Sequence, residues 1–287
     1  MEITYRLVNV FTDGDDPFSG NAVAIFEDGS ELSTYQMQAL SQELNQEAVF
    51  IFPNDDPANA QVRFFSPHQK KGFAGSASLA TAHVVRDMMG STGDVTLHEA
   101  QYGNYHVQHV ADSENKWMFQ GSQRQTRELK ASPQILASLV GLSLDAIAAA
   151  PATVSSTSGT GGIILPVRTI DDVRETRLDA RLLHSYAMLL NTVPSVYVWA
   201  ESDEDEVIHS RMFYGPRGGV LEVAATGSGA ANLGAWFASQ GRGPISRHIR
   251  QGRPLGRGSH VDLTVDESGD IFVGGRTLEV SRGTFHI

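Results

Sequence analysis

Leu44-Asn45-Gln46-Glu47-Ala48-Val49-Phe50-Ile51-Phe52 returns, in altered form, as Leu190-Asn191-Thr192-Val193-Pro194-Ser195-Val196-Tyr197-Val198-Trp199. Each stretch begins where a helical pattern runs out and continues as an aromatic and β-branched run of the kind that forms a buried strand. Before the first, Ser33 followed by Gln36 makes a capping-box pattern, and Met37, Leu40 and Leu44 recur on one face, so a helix is predicted to end near Asn45. Before the second, Asp179 to Leu190 carries Leu182, Leu183, Tyr186 and Leu190 on an apolar side. The order persists downstream. Arg63-Phe64-Phe65 with Pro67 is answered by Arg211-Met212-Phe213 with Pro216, and Gly75-Ser76 by Gly227-Ser228, each Gly-Ser opening a helix of small and apolar residues. The offsets are 147 from Ala48 to Ser195, 148 from Arg63 to Arg211 and 152 from Ser76 to Ser228. Such steadiness predicts two homologous halves, residues 1–122 and 123–287, facing each other across a cleft, with the last strand able to return to the first lobe. Further strands are predicted at Ile3–Phe11, Tyr105–Val110, Ile163–Val167 and Val261–Val265. The expected class is α+β, each lobe a curved, mostly antiparallel sheet or barrel around one buried helix.

Composition narrows the function. A chain of 287 residues with 41% hydrophobic and 19% charged residues has the make-up of a globular protein. A net charge of -11 disfavours partners that are nucleic acid or anionic membrane. The start Met1-Glu2-Ile3-Thr4-Tyr5-Arg6 lacks the pattern of a signal peptide and no apolar run approaches a membrane span, so a cytoplasmic location is expected. There is no cysteine, which excludes disulfides, thiolate metal sites and thiol nucleophiles.

Glu47 lies at the helix-to-strand junction and has no acidic counterpart in Asn191–Ser195. A carboxyl on one side only suits removal and return of a proton on a single face, which is isomerisation; racemisation asks for a second base. Its neighbours Ala48, Val49 and Phe50 predict partial desolvation and hence a raised pKa. Gly75-Ser76 and Gly227-Ser228 each present amides and a hydroxyl at a helix start, either as a receptor for a small carboxylate or as plain caps. His68, His83 and His184 lack metal-ligand spacing, and His83 reads as a packed helical residue. Asp13–Asp16 and Glu201–Glu206 read as solvated acidic turns, and Ser155–Gly162 as a loop without a Walker lysine.

Several motifs together resemble the PhzF-like phenazine-biosynthesis isomerases: Val10-Phe11-Thr12 with Phe18-Ser19-Gly20-Asn21, Glu43-Leu44-Asn45 leading to Glu47, Phe73-Ala74-Gly75, Ala225-Thr226-Gly227-Ser228, Gln251-Gly252 with Gly256-Arg257, and Val273-Gly274-Gly275. The resemblance spans nearly the whole chain. It implies the two-lobed fold of diaminopimelate epimerase, a homodimer, and a proton shift on a small cyclic or amino-acid-like carboxylate without metal or organic cofactor. Glu47 would then be the catalytic acid and base, and Asn21, Gly75, Ser76, Gly227 and Ser228 the substrate-binding residues. Epimerases of this fold use one cysteine from each half; the matching positions are Ala74 and Thr226, so a two-thiol epimerase is excluded. Three departures are visible: Ser76 where the family usually has histidine, Val223 where it usually has aspartate, and a shorter link between Asn45 and Glu47. A carboxylate-binding protein without turnover, or a racemase, are the alternatives.

Overall fold

Ser33 caps the first helix as its sequence predicts. Its hydroxyl accepts the Gln36 N–H at 3.3 Å and its own N–H donates to the Gln36 side chain at 3.0 Å. Helix α1 (Thr34–Leu44) then stops at Asn45, whose φ of 50° is left-handed and ends the helical hydrogen-bond ladder. A computed structural model describes residues 1–52, 59–90, 93–122, 124–148, 150–156, 161–202, 206–215 and 219–287. Pro216, residues 157–160 of the expected Ser–Gly loop and residues 203–205 of the second acidic cluster lie outside the described residues. The chain divides into two units, Met1–Gln120 with Val273–Ile287, and Gly121–Phe272.

The first unit contains β1 (Glu2–Val10), β2 (Asn21–Phe26), β3 (Glu47–Phe52), β4 (Asn59–Ser66), β5 (Gln69–Lys71), helix α2 (Gly75–Met89), β6 (Val95–Glu99), β7 (Gly103–His109) and β8 (Lys116–Gln120). The second runs through β9 (Arg124–Glu128), α3 (Pro133–Val140), β10 (Ala152–Ser156), β11 (Gly161–Pro166), α4 (Ile170–Glu175), α5 (Ala180–Leu189), β12 (Ser195–Glu201), β13 (Val207–Tyr214), β14 (Leu221–Val223), α6 (Gly227–Ser239), β15 (Ile245–Gln251) and β16 (Ser259–Val265). Strand β17 (Ile271–His286) then returns to the first unit, pairing antiparallel with β1 from Glu2 opposite His286 onward.

In the first unit the pairings β17–β1–β2–β3–β4–β6–β7–β8–β17 close a barrel of eight strands. An eight-stranded barrel has room only for packed side chains or a slender element. Helix α2 fits because Gly75, Ser76, Ala77, Ser78, Ala80, Thr81 and Ala82 are small, and all of them are buried. Outside the barrel, Met37 and Leu40 of α1 pack on Ala24, Phe26, Ala48, Phe50 and Phe65. The rings of Phe26 and Phe50 stack at 4.5 Å. The intervening Val23, Ile25 and Val49 are also buried, which is why these strands read as continuous apolar runs.

The second unit repeats the plan. A parallel pair joined through helices (β11–β12) replaces β2–β3, and a second parallel pair (β13–β15), joined through α6, replaces β4–β6. The cross-strand pair Phe50–Arg63 recurs as Val198–Arg211, and Asn191 repeats the left-handed Asn45 with φ 47°. This register sets the offset at 148 for both strands, one more than the 147 read from Ala48 to Ser195. Two extra residues after Asn191 account for the shift, so Ser195, the first residue of β12, stands where Glu47 opens β3. Glu201, expected in a solvated turn, instead ends β12 held by Arg242 and Arg247 at 2.6 and 2.5 Å. Among the described residues no helix is long and apolar enough to cross a membrane.

Candidate functional site

The turn that delivers Glu47 is fixed from behind. Asn45 N–H donates to the Gln42 carbonyl, Gln46 N–H to the Ser41 carbonyl, and the buried Ser41 hydroxyl to the Gln46 carbonyl at 2.7 Å. Glu47 then pairs in register with Val23 on β2. Asn21 opens β2 directly after Gly20, whose φ is 69° and whose position no side chain could share, since a Cβ there would lie 2.3 Å from the Val10 carbonyl oxygen. Ser76 is the second residue of α2.

These three predicted residues meet within the first unit. The Ser76 hydroxyl donates to Glu47 Oε2 at 3.0 Å, and Asn21 Nδ2 donates to Ser76 Oγ at 3.4 Å. Ser76 is therefore not the cap of its helix. The cap position is Ala74, which offers no side-chain hydrogen bond, so the Gly75 and Ser76 amides stand at a helix start that carries no side-chain acceptor of its own.

A fourth residue was not foreseen. Lys71, the last residue of β5, donates from Nζ to Glu47 Oε1. Its strand is hairpinned on β4, with Phe64 opposite Lys71. Its successor Gly72 lies so close beneath Tyr102 that a Cβ would come within 2.4 Å of the ring. Glu47 and Lys71 are 21% and 32% exposed, so the pair can be reached from solvent. The direction of the Glu47 pKa shift is the reverse of the sequence expectation. Burial alone would push its pKa up, but the charge and hydrogen bond of the Lys71 ammonium, with the Ser76 hydroxyl, bring it below the ordinary glutamate value. The group at rest is a carboxylate.

In the second unit, Thr226 caps α6, accepting the Gly229 N–H at 3.2 Å, and Ser228 Oγ lies 3.2 Å from Thr226 Oγ1. The plain-cap reading thus fails for both serines, though for different reasons. Ser195, in the place of Glu47, is buried and donates to the Gly161 carbonyl at 2.7 Å. Val223 contributes its carbonyl, which accepts from Gln251 Nε2 at 2.8 Å. Gly252, with φ 77° and space for no Cβ against the Ala224 and Arg257 carbonyls, packs its loop under the entry to α6. The Gln251-Gly252 motif is thereby explained as a support for that helix start.

Comparison with known proteins finds relatives along nearly the whole chain. The family model described as phenazine biosynthesis-like protein matches residues 8–283. The chain is 28% identical to an uncharacterized isomerase of Pasteurella multocida, over 99% of this chain and 94% of the relative. It is 26% identical to the trans-2,3-dihydro-3-hydroxyanthranilate isomerase of Pseudomonas aeruginosa, over 93% and 92% respectively. The crystal structure of a Bacillus anthracis phenazine biosynthesis protein of the PhzF family superposes with a TM-score of 0.85 at 20% identity, over 100% of both chains.

Proposed function

The chain belongs to the phenazine biosynthesis-like family, and from that membership we propose that it is an isomerase that moves a proton on a small carboxylate, with Glu47 as both base and acid. The observation that carries this is the setting of Glu47: an ionised, partly exposed carboxylate oriented by Ser76 at an uncapped helix start. The Gly75 and Ser76 amides suit a substrate carboxylate, because backbone N–H groups and the positive end of the helix dipole point the same way. The Ser76 hydroxyl keeps Glu47 in one rotamer, and Asn21 keeps the hydroxyl aimed. Gly227 and Ser228 also present amides at a helix start in the second unit, one that Thr226 caps by accepting the Gly229 N–H.

The proton would leave carbon for Glu47 and return from it to another atom on the same face. The serine in the duplicate position, with its hydroxyl committed to a carbonyl, is not a counterpart of Glu47 as a base. That favours isomerisation over racemisation. The substrate is a cyclic or amino-acid-like acid of the kind named for the Pseudomonas relative. In deuterated buffer the wild-type protein is expected to exchange or shift a C–H proton of trans-2,3-dihydro-3-hydroxyanthranilate or a related acid, followed by proton NMR, and Glu47→Gln to abolish this while melting normally. Exchange that persists in Glu47→Gln ends the proposal. One observation favours a rival, a binding protein without turnover: a carboxylate held low by a lysine is a weak base. That reading predicts binding indifferent to Glu47 and no exchange at all.

A further inference from the structure

Arg6 and Arg211 are buried, and both are neutralised. Arg6 meets Glu27, Asp87 and Glu279, and Arg211 grips the two oxygens of Glu222 at 2.9 and 2.7 Å. Arg124, the first residue of β9, is not. Its Nε donates to the Asn232 side-chain oxygen at 2.9 Å and its Nη1 to the Ser122 carbonyl at 2.5 Å, both neutral acceptors. Nη2 is buried and has no hydrogen-bond partner. Among the described residues no carboxylate pairs with the group; burial is the one influence on its pKa, which falls to about 10. Taking a cation out of water without giving it an anion is costly. The link before β9 is nonetheless shaped to the guanidinium, since a Cβ at Gly121 would lie 2.6 Å from Nη1.

The charge sits at the end of the second unit where α6 begins. Arg124 meets Asn232 and Thr126 meets the Ala235 carbonyl, so β9 and α6 run the same way. Asn232 lies one helical turn past Ser228, on the same face. Strand register gives the same placement. Arg124 stands opposite Ser156 and Ser155 opposite Gly161, whose carbonyl accepts from Ser195, the residue in the place of Glu47. Near a helix start the backbone dipole is also positive, so it adds to the uncompensated charge. We propose that Arg124 is the charged group of an oxyanion receptor in the second unit, one that takes the carboxylate or phosphate of a small ligand. The oxyanion displaces the Ser122 carbonyl from Nη1 and occupies the two N–H groups of Nη2, the paired geometry in which a planar guanidinium holds such groups. Asn232, only 3% exposed, fixes Nε and so aims the fork. Arg124 as a whole is half-buried, which leaves one side of it open to a ligand. This receptor is additional to the amides at the start of α2.

The test reads the guanidinium itself, on the full chain in low-salt buffer. The Arg124 Nε–H resonance, assigned by its loss in Arg124→Gln, is followed by nitrogen-15 NMR while benzoate, inorganic phosphate or uncharged benzamide is added. Benzoate, phosphate or both should move it, which tells a carboxylate receptor from a phosphate receptor, and benzamide should not. The same shift is expected in Glu47→Gln, because this receptor does not depend on the proposed role of Glu47. The dissociation constant of the active probe, taken from calorimetry, should weaken about tenfold in Arg124→Gln, the worth of one charge-assisted hydrogen bond, and less in Arg124→Lys. Without any probe, Arg124→Gln should melt at or above wild type, since it removes an unpaired buried charge, whereas Arg211→Gln, which strands Glu222, should melt lower. A resonance that neither anion moves, or that benzamide moves equally, overturns the proposal. So does an affinity unchanged in Arg124→Gln, or a probe-free melting point that falls in this variant by as much as in Arg211→Gln, since the charge would then serve the fold. Loss of proton exchange in Glu47→Gln is decided separately from all of these results.

Discussion

Ser76 is the residue whose role the structure changes most. It reads from the sequence as a cap or an anion receptor, yet its hydroxyl proton goes to Glu47 Oε2. Ser76→Ala would leave that oxygen without its donor. Without that donor the Glu47 carboxylate is no longer held in one rotamer, and loss of orientation in a proton-transferring group should lower kcat about tenfold. The hydrogen bond lowers the Glu47 pKa, so its loss must raise it, and the acid limb of the kcat/KM profile should move to higher pH. An acid limb that stays in place in Ser76→Ala would show that the serine does not act through Glu47. Glu47, Ser76 and Asn21 were readable because each sits at an element boundary with its own pattern: a helix end, a helix start and a strand start. Lys71 was not. Gln69-Lys70-Lys71 looks like any polar turn, and only the successive pairing of β3, β4 and β5 brings its charge to an acid 24 residues away. The inverted expectation for the Glu47 pKa follows from that omission, since burial was visible in the neighbouring residues and the cation was not.

Helices α2 and α6 show how strongly a buried helix constrains its residues. Gly234 sits mid-way along α6, where a Cβ would lie 2.8 Å from Ile271 Cγ2 and 3.0 Å from Leu263 Cδ1. Replacing a mid-helix glycine by alanine normally gains about 1 kcal/mol of helix propensity. Here the methyl meets a γ-carbon close to the backbone of its strand, and overpacking of this kind costs about 1–3 kcal/mol. Gly234→Ala is therefore expected to be destabilising on balance, by about 1 kcal/mol, measured as a lowered midpoint in urea. A midpoint equal to or above that of wild type would show that the neighbouring strands yield more readily than their packing implies. The helices themselves were evident in sequence because small-residue runs and capping patterns are local. The three-residue strands β5 and β14 were not, because three residues show no period. The one-residue error in the repeat offset has a related cause. Two residues inserted after Asn191 leave both flanking patterns intact, so only strand register reveals them.

Closure of the first unit depends on the last strand, and the closing contact is ionic as well as backbone. Arg6 of β1, only 4% exposed, meets Glu27 at 2.5 Å, Asp87 of α2, and Glu279 of β17 at 3.2 Å. One guanidinium thus ties the first strand to the central helix and to a strand 273 residues away. No periodicity in the sequence marks a partnership at that distance; it becomes visible only when β17 completes the ring. Burial alone would push the Glu279 carboxyl up, but hydrogen bonds from Arg282 and Arg6 hold it below its ordinary value. Its pKa is therefore lower folded than unfolded, where a glutamate titrates at about 4.3. The linked stabilisation is fully present above that pH and is lost as pH falls through the folded value. Glu279→Gln keeps the shape and removes the charge. At pH 7 it should cost about 1–2 kcal/mol, because Arg6 retains two other carboxylates, and lower the Tm by about 3–8 °C. As pH falls through this lowered folded value the wild-type carboxyl becomes protonated, its advantage disappears, and the two melting curves should converge. A gap in Tm that stays constant from pH 7 into the acid range would show that ionisation of Glu279 is not what stabilises the closed barrel.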